Sequence, residues 1–410
     1  MTPQILFYLL VGIIILNFLK EELLSHLNAK HFNDALPHEL QDVYEQDEYE
    51  KSQRYKMANH NFSMYSSAFS ILLTLAFFFF DGFLYLDNLV RSLTQNEILI
   101  TLYYFGIIGL GSDILTTPFA YYKTFVIEEE FGFNKMTKKI FFIDKIKGWF
   151  LMLVIGGVLL AAVTWFYFKT ENLFWIYTWL LISAFSVFVN LFYSSLIVPL
   201  FNKQTPLEEG ELKTKLEALS ASVGFKSTEI FVIDGSKRST KSNAYFSGFG
   251  PKKRIVLYDT LINDLTADEI VAVFAHEVGH NKRKHTIFNL VASILLTGLT
   301  LFILSLLIGN PLLSEALGIS TPSFHIGLIT FSILYSPISE ITGLIMNVFS
   351  RIFEYQADNY AKIHSSAEAL ISSLKKLSKN SLSNLTPHKW TVFMYYSHPT
   401  LLQRIQNLRK

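Results

Sequence analysis

Ile287-Phe-Asn-Leu-Val-Ala-Ser-Ile-Leu-Leu-Thr-Gly-Leu-Thr-Leu-Phe-Ile-Leu-Ser-Leu-Leu-Ile-Gly309 contains no charged residue. A helix needs about 20 apolar residues to cross the hydrocarbon core of a bilayer, so the stretch reads as a membrane span. Comparable apolar runs stand at residues 3–19, 64–86, 98–121, 148–168, 173–200 and 326–348, which makes seven candidate spans. The first has no basic residue ahead of it and no small-residue cleavage site before Lys20, so it reads as a retained span rather than a signal peptide.

Composition agrees. Half of the 410 residues are hydrophobic and 17% are charged, against roughly 25% charged in soluble proteins. These proportions exclude a soluble globule and a disordered chain. A net charge of +1, from 35 Lys and Arg against 34 Asp and Glu, leaves no basic excess for nucleic acid. With no cysteine, disulfides, thiolate nucleophiles, iron–sulfur clusters and Cys zinc sites are excluded. Any metal must rest on His and carboxylates.

The charges also orient the spans. All but two of the 35 Lys and Arg lie in residues 20–63, 122–147, 201–286 and after 348, and the alternate loops hold only Arg91 and Lys169. Cytoplasmic loops are the basic ones. Seven spans with this parity put the amino terminus outside and the carboxyl terminus in the cytoplasm. The chain then divides into a bundle of five spans (1–200), a cytoplasmic α/β unit (201–286), a hairpin of two spans (287–350) and cytoplasmic carboxyl-terminal helices (351–410).

In the polar unit, Leu212, Leu216, Leu219 and Val223 form one stripe of a helix over 208–223 that stops at Gly224. Residues 229–233 and 254–258 read as strands, and Ser247-Gly-Phe-Gly-Pro251 between them as a turn. A further helix opens at Thr266, with Glu269 three residues on completing a capping box.

That helix carries His276-Glu-Val-Gly-His280. Residues four apart share a helical face, so both imidazoles reach one zinc ion while Glu277 is left as general base toward the attacking water. A catalytic zinc takes three protein ligands and keeps its fourth position open. Spans six and seven return the chain to the same side, where Arg351-Ile-Phe-Glu-Tyr-Gln-Ala-Asp358 begins. Glu354 is placed to be the third ligand. Asp358, one turn on, is placed to accept the free ring N–H of a ligating histidine.

His276-Glu-Val-Gly-His280, Glu354-Tyr-Gln-Ala-Asp358 and the loop Tyr121-Tyr-Lys-Thr-Phe-Val-Ile-Glu-Glu-Glu-Phe-Gly-Phe-Asn-Lys-Met136 together resemble the type I CAAX prenyl endopeptidases over essentially the whole chain. The resemblance implies a mostly α fold: a seven-span helical bundle around an intramembrane chamber, with a zinc metalloprotease α/β domain on its cytoplasmic side. It implies one zinc ion on His276, His280 and Glu354, and Glu277 as base. Ser242-Asn-Ala-Tyr245 resembles the family's edge strand, in which Asn243, Ala244 and Tyr245 hold an extended substrate. Ser397-His-Pro-Thr-Leu-Leu-Gln-Arg404 resembles the family's carboxyl-terminal His and Arg, which makes His398 and Arg404 candidates for stabilising the oxyanion and tying down the site.

The expected activity is endoproteolysis at the cytoplasmic membrane face. The implied substrate is a prenylated protein that loses its last three residues, and the protein is expected to work as a monomer within a lipid bilayer. The chain ends six residues past Arg404 without a longer tail or retrieval signal, which fits a bacterial inner membrane as well as the endoplasmic reticulum membrane of a eukaryote. Two alternatives stand beside this one: a quality-control metalloprotease acting on unprenylated membrane proteins, and a transporter or lipid-binding bundle whose zinc is structural.

His285 reads as an interfacial side chain rather than a ligand. His60, His325, His364 and His388 have no partner motif, and the acidic run at residues 39–50 reads as a solvated face. Asp113 and Glu340 lie inside spans, where a carboxylate faces a cavity or a partner. They either bridge helices through Asn190, Asn289 or Asn347, or line a chamber.

Overall fold

The computed structural model describes residues 1–225, 229–248 and 254–410. Among them, six helical stretches are long and apolar enough to cross a membrane. The first, α1 (Pro3–Ala29), is capped by the Thr2 hydroxyl with proline in its first turn, where a missing N–H costs nothing. Helix α2 (Gln46–Phe79) starts at a capping box on Glu45 and ends before Asp81, whose φ of 54° turns the chain into the amphipathic α3 (Gly82–Leu93). The expected second span therefore overruns. Residues 80–86 form a turn and the start of another helix, because Phe80, Phe83 and Leu84 continue the apolar run through a break that only Asp81-Gly82 marks.

Asn96 caps α4 (Glu97–Tyr122), which continues through a π-turn, Lys123–Ile127, to Glu130. The 63-residue stretch Lys138–Leu200 follows. It comprises α5 (Lys138–Leu151), a π-turn, α6 (Gly157–Thr170) and α7 (Phe174–Phe192). Between α6 and α7 the chain turns at Glu171, whose φ is 46°, and the two helices pack together.

The polar segment builds a four-stranded sheet in the order β1-β2-β4-β3, with β1 Gln204–Pro206, β2 Glu229–Ile233, β3 Ala244–Ser247 and β4 Arg254–Tyr258. The central β2 and β4 run parallel, while β1 and β3 pair antiparallel as edges. The turn expected at 247–251 lies largely outside the described residues. Helix α8 (Glu211–Ser222) crosses between β1 and β2, and α9 (Asp259–Asp264) follows β4.

Next come α10 (Ala267–Lys282), α11 (His285–Leu307) and α12 (Phe324–His364), then α13 (Ala367–Asn380), α14 (Lys389–Tyr395) and α15 (Leu401–Arg409). The capping box on α10 forms as expected, with Glu269 N–H to Thr266 Oγ1 at 3.4 Å and Thr266 N–H to Glu269 Oε2 at 2.8 Å. Helix α12 spans 41 residues without a break. It joins a candidate span directly to the turn that carries Glu354 and Asp358.

One hydrophobic core holds the site end together. Leu40 and Tyr44, Phe131 and Phe133, Leu216, Leu257, Phe274, Ala361, Leu370 and Ile405 all belong to it. Segments from the whole length of the chain thus meet around α10. In the long apolar helices the preference inverts: Leu72, Leu153, Leu295 and Leu306 are exposed, as expected of helices whose solvent is lipid.

Candidate metal centre

Helix α10 is buried on most sides, which fixes the direction of its two imidazoles. One turn apart, His276 Nε2 and His280 Nε2 stand 3.1 Å from each other. Glu354 arrives from α12, its Oε2 3.4 Å from His276 Nε2 and its Oε1 3.3 Å from His280 Nε2. Gly279 permits this approach, since a Cβ there would lie 3.1 Å from the Ala357 Cα of α12.

The donor set fits a zinc ion. With bonds of about 2.0–2.1 Å, a tetrahedral ion separates neighbouring ligand atoms by roughly 3.3 Å, which is the separation these atoms show. Glu354 Oε2 is moreover a buried acceptor without a hydrogen-bond partner, a costly condition that a cation relieves. Among the described residues the potential metal-binding cluster consists of these three groups, within 4.8 Å of one another.

Each histidine is held from behind. Asp358, fully buried, lies 2.9 Å from His276 Nδ1. Its charge is met by the Arg404 fork, with Nε at 2.9 Å and Nη2 at 2.5 Å. Arg404 Nη1 also stands 3.7 Å from Glu354. Burial pulls the His276 imidazole down, but Asp358 and Glu354 outweigh it and lift it to about 9. Carboxylates that attract a proton so strongly attract a cation for the same reason. Burial also holds the Glu277 carboxyl above the ordinary carboxylate range, the direction that suits a base working near neutral pH.

His280 is backed by His285, the histidine expected at the membrane interface. His285 is buried, not interfacial: its Nδ1 is 3.0 Å from His280 Nδ1, its Nε2 is 2.9 Å from Gln356 Oε1, and its ring stacks on Phe353. Counting from His276 as though along one helix misplaces it. The chain breaks at Lys284, whose φ is 60°, and the first residue of α11 is turned back beside the metal helix.

A cleft of ≈ 390 Å³ opens in front of these groups, lined by Glu277, by the β3 edge from Ser242 to Phe246, and by His398 and Arg404. His398 is mostly exposed, with Nε2 3.3 Å from Glu354 Oε1. Asn243 is exposed at the head of β3, its carbonyl accepting from Tyr258 N–H. Ala244 and Tyr245 pair with Leu257 and Val256 of β4 on one side. Two more cavities continue inward, one sharing Tyr245, Phe246, Thr286 and Asn289 with the cleft, the other meeting it at Asn289 and lined by Ser293, Thr297, Thr300, Ser339 and Thr342.

The chain leading into β3 is clamped by residues 121–136. Lys135 N–H donates to Arg238, Thr240 N–H donates to Phe133, and Asn134 bridges Ser239. Lys241 Nζ then reaches Glu128 Oε2 and the Tyr55 hydroxyl, each at 2.8 Å, over the Phe133 ring. Nothing in the local sequence marks Lys241 or Tyr55, because their partners are distant in the chain.

Other expectations need correction. Asp113 is bound by Lys145 at 2.6 Å and Trp149 Nε1 at 2.8 Å, and Glu340 pairs with Lys20. Asn190, Asn289 and Asn347 are not their partners; cations flanking neighbouring helices reach inward instead. His325 has a partner after all, the buried Asp87 at 2.7 Å, itself held by Arg91. His60 bonds Ser25, while the rings of His364 and His388 pack at a tilt against Tyr360 and His31. The acidic run at 39–50 is exposed at Asp42, Glu45, Asp47 and Glu50 and carries ion pairs from Asp42 to Lys375 and from Glu48 to Lys379.

Two histidines one turn apart, a glutamate from a second helix and an adjacent glutamate facing the cleft, in a chain of apolar helices long enough to cross a membrane, define a membrane metalloendopeptidase. Residues 25–203 match the family model described as CAAX prenyl protease N-terminal, five membrane helices, and residues 206–410 match peptidase family M48. The chain is 36% identical to a CAAX prenyl protease 1 homolog of Dictyostelium discoideum, over 96% of this chain and 93% of that protein. It is 33% identical to CAAX prenyl protease 1 of Saccharomyces cerevisiae, over 99% and 96%. The crystal structure of S. mikatae Ste24p superposes with a TM-score of 0.94 at 33% identity, covering 99% of each chain. The chain belongs to the type I CAAX prenyl endopeptidase family.

Proposed function

We propose that this protein is a zinc endopeptidase that removes the carboxyl-terminal tripeptide of prenylated proteins at the cytoplasmic face of its membrane. The observation that carries the reading is the three-donor cluster beside Glu277 and a free strand edge. His276, His280 and Glu354 would hold the zinc ion, which when bound would supply Lewis-acid activation at the scissile bond. Glu277 takes a proton from the attacking water and passes it to the leaving amine. Asn243, Ala244 and Tyr245 order the substrate backbone along β3. His398 donates to the developing oxyanion, and Arg404, through Asp358, keeps His276 in place.

Seven spans are the reading we favour, with the long stretch Lys138–Leu200 crossing twice. The turn at Glu171 and the one-sided placement of Lys and Arg support it, and together they put the amino terminus outside. Every group of the site comes from one chain, which supports action as a monomer. The bundle cavities are the proposed place for the part of the substrate that does not reach the metal. Their Ser and Thr lining favours a second reading, in which an unprenylated polypeptide occupies them during quality-control proteolysis. A transporter with structural zinc would need a fourth protein ligand, and the cluster offers three.

The test pairs a variant with a substrate comparison. Glu277→Gln should lower cleavage by roughly 10²–10⁴-fold while the protein still binds one zinc. Farnesylated and unlipidated forms of one peptide should differ in KM, the farnesylated form being lower. Undiminished cleavage by Glu277→Gln sinks the assigned base, and equal KM values sink prenyl recognition.

A further inference from the structure

We propose that His285 and Gln356 form an uncharged relay that fixes the tautomer of His280 and so sets the metal affinity of the site; this rests on the metal-centre reading above.

The chemistry follows from which atoms can donate. Gln356 Oε1 is only an acceptor, so His285 Nε2, 2.9 Å away, carries the proton of that bond. A neutral imidazole protonated at Nε2 has its lone pair on Nδ1. That lone pair faces His280 Nδ1 at 3.0 Å, which obliges His280 to carry its proton on Nδ1 and leaves the Nε2 lone pair toward His276 and Glu354. The opposite amide orientation reverses every bond in the chain. His280 would then direct an Nε2–H into the cluster and repel a cation.

The geometry restricts motion as well as polarity. His285 is 3% exposed and its ring lies 4.1 Å from Phe353, with 9° between the planes. Phe353, Glu354 and Gln356 are neighbours on α12, so one helix supplies the third ligand, the end of the relay and the stacking surface. The two metal histidines are thereby held in unlike ways. His276 leans on a carboxylate neutralised by Arg404, whereas His280 leans on a neutral ring and an amide. A carboxylate behind both would add negative charge to a site that already holds Glu354 and Glu277.

The experiment uses the full chain in detergent, stripped with chelator and titrated with Zn2+ and separately with Co2+, whose visible spectrum reports ligand geometry. His285→Phe keeps the stack on Phe353 and removes the acceptor; metal affinity should fall roughly 10- to 100-fold while the Tm of the metal-free protein stays near wild type. His285→Asn, whose oxygen replaces Nδ1, should recover most of the affinity and the Co2+ spectrum. Gln356→Glu, which can only accept, should bind as tightly as wild type, and Gln356→Met should weaken binding. Wild-type affinity in His285→Phe overturns the relay. Equal weakness of His285→Asn and His285→Phe overturns it too, by reducing His285 to packing. A wild-type protein that binds neither metal would instead sink the metal-centre reading itself.

Discussion

Gly279→Ala probes how the site is assembled, because it alters neither a ligand nor the base. The added Cβ would meet Tyr360 Cβ at 3.0 Å, Ala357 Cα at 3.1 Å and the Ala357 carbonyl at 3.3 Å. Two of these three atoms are backbone and cannot rotate away. Helices α10 and α12 must therefore part by a few tenths of an ångström, and Glu354, one turn before Ala357, moves with α12 away from both histidines. Overpacking of this kind costs about 1–3 kcal/mol. Expressed on the ion, that is a loss of roughly 5- to 150-fold in affinity at 1.4 kcal/mol per tenfold. The assay is Zn2+ competition on the full chain with Tm measured beside it, and Gly343→Ala serves as control, since a Cβ there meets nothing within 4 Å. Gly279→Ala should lose both Tm and affinity while Gly343→Ala loses neither. Wild-type affinity in Gly279→Ala would refute the view that helix spacing sets the ligand geometry.

Glu269 gives the site end an acid limit. Burial pushes its carboxyl up, but Lys376, Ser372 and the Thr266 cap outweigh that and hold it at about 2, against 4.5 for an ordinary glutamate. A depressed folded-state value means that its stabilisation is complete above about 4.5 and is lost as pH falls toward 2. The shift corresponds to about 3 kcal/mol, reduced toward 1–2 because Lys376 is partly solvated; Glu269→Gln should flatten unfolding free energy against pH in that window, and an unchanged slope would disprove the assignment. Lys241→Met should raise the peptide KM roughly 5- to 10-fold, about 1 kcal/mol spent on ordering β3, with kcat little changed and Lys241→Arg restoring binding. A fall in kcat with KM intact would show that the clamp acts on something other than the substrate strand.

Much of this was legible in the chain because it depends on local spacing. The zinc motif, the Thr266 capping box and the Glu354 and Asp358 pair are all i, i+3 or i, i+4 relations. The apolar runs located the long helices well, except where Phe80 and Phe83 hid the turn at Asp81. What escaped is set by breaks and long-range contacts. Lys284, a lysine with positive φ, redirects His285 without any glycine to announce it. Lys145 reaching Asp113 and Lys241 reaching Glu128 join residues whose distance in sequence holds no information about their meeting.

Helix α12 has a mechanical consequence. Pro337 lies within it, upstream of Glu354, and at 1.5 Å per residue the arm between them is about 25 Å long. A tilt of only about 2° at that proline displaces the far end of such an arm by roughly 0.9 Å, more than the few tenths of an ångström by which Gly279→Ala would part the two helices. Any change of inclination at Pro337 would therefore be delivered to the ion through Glu354, at the far end of the same rigid arm.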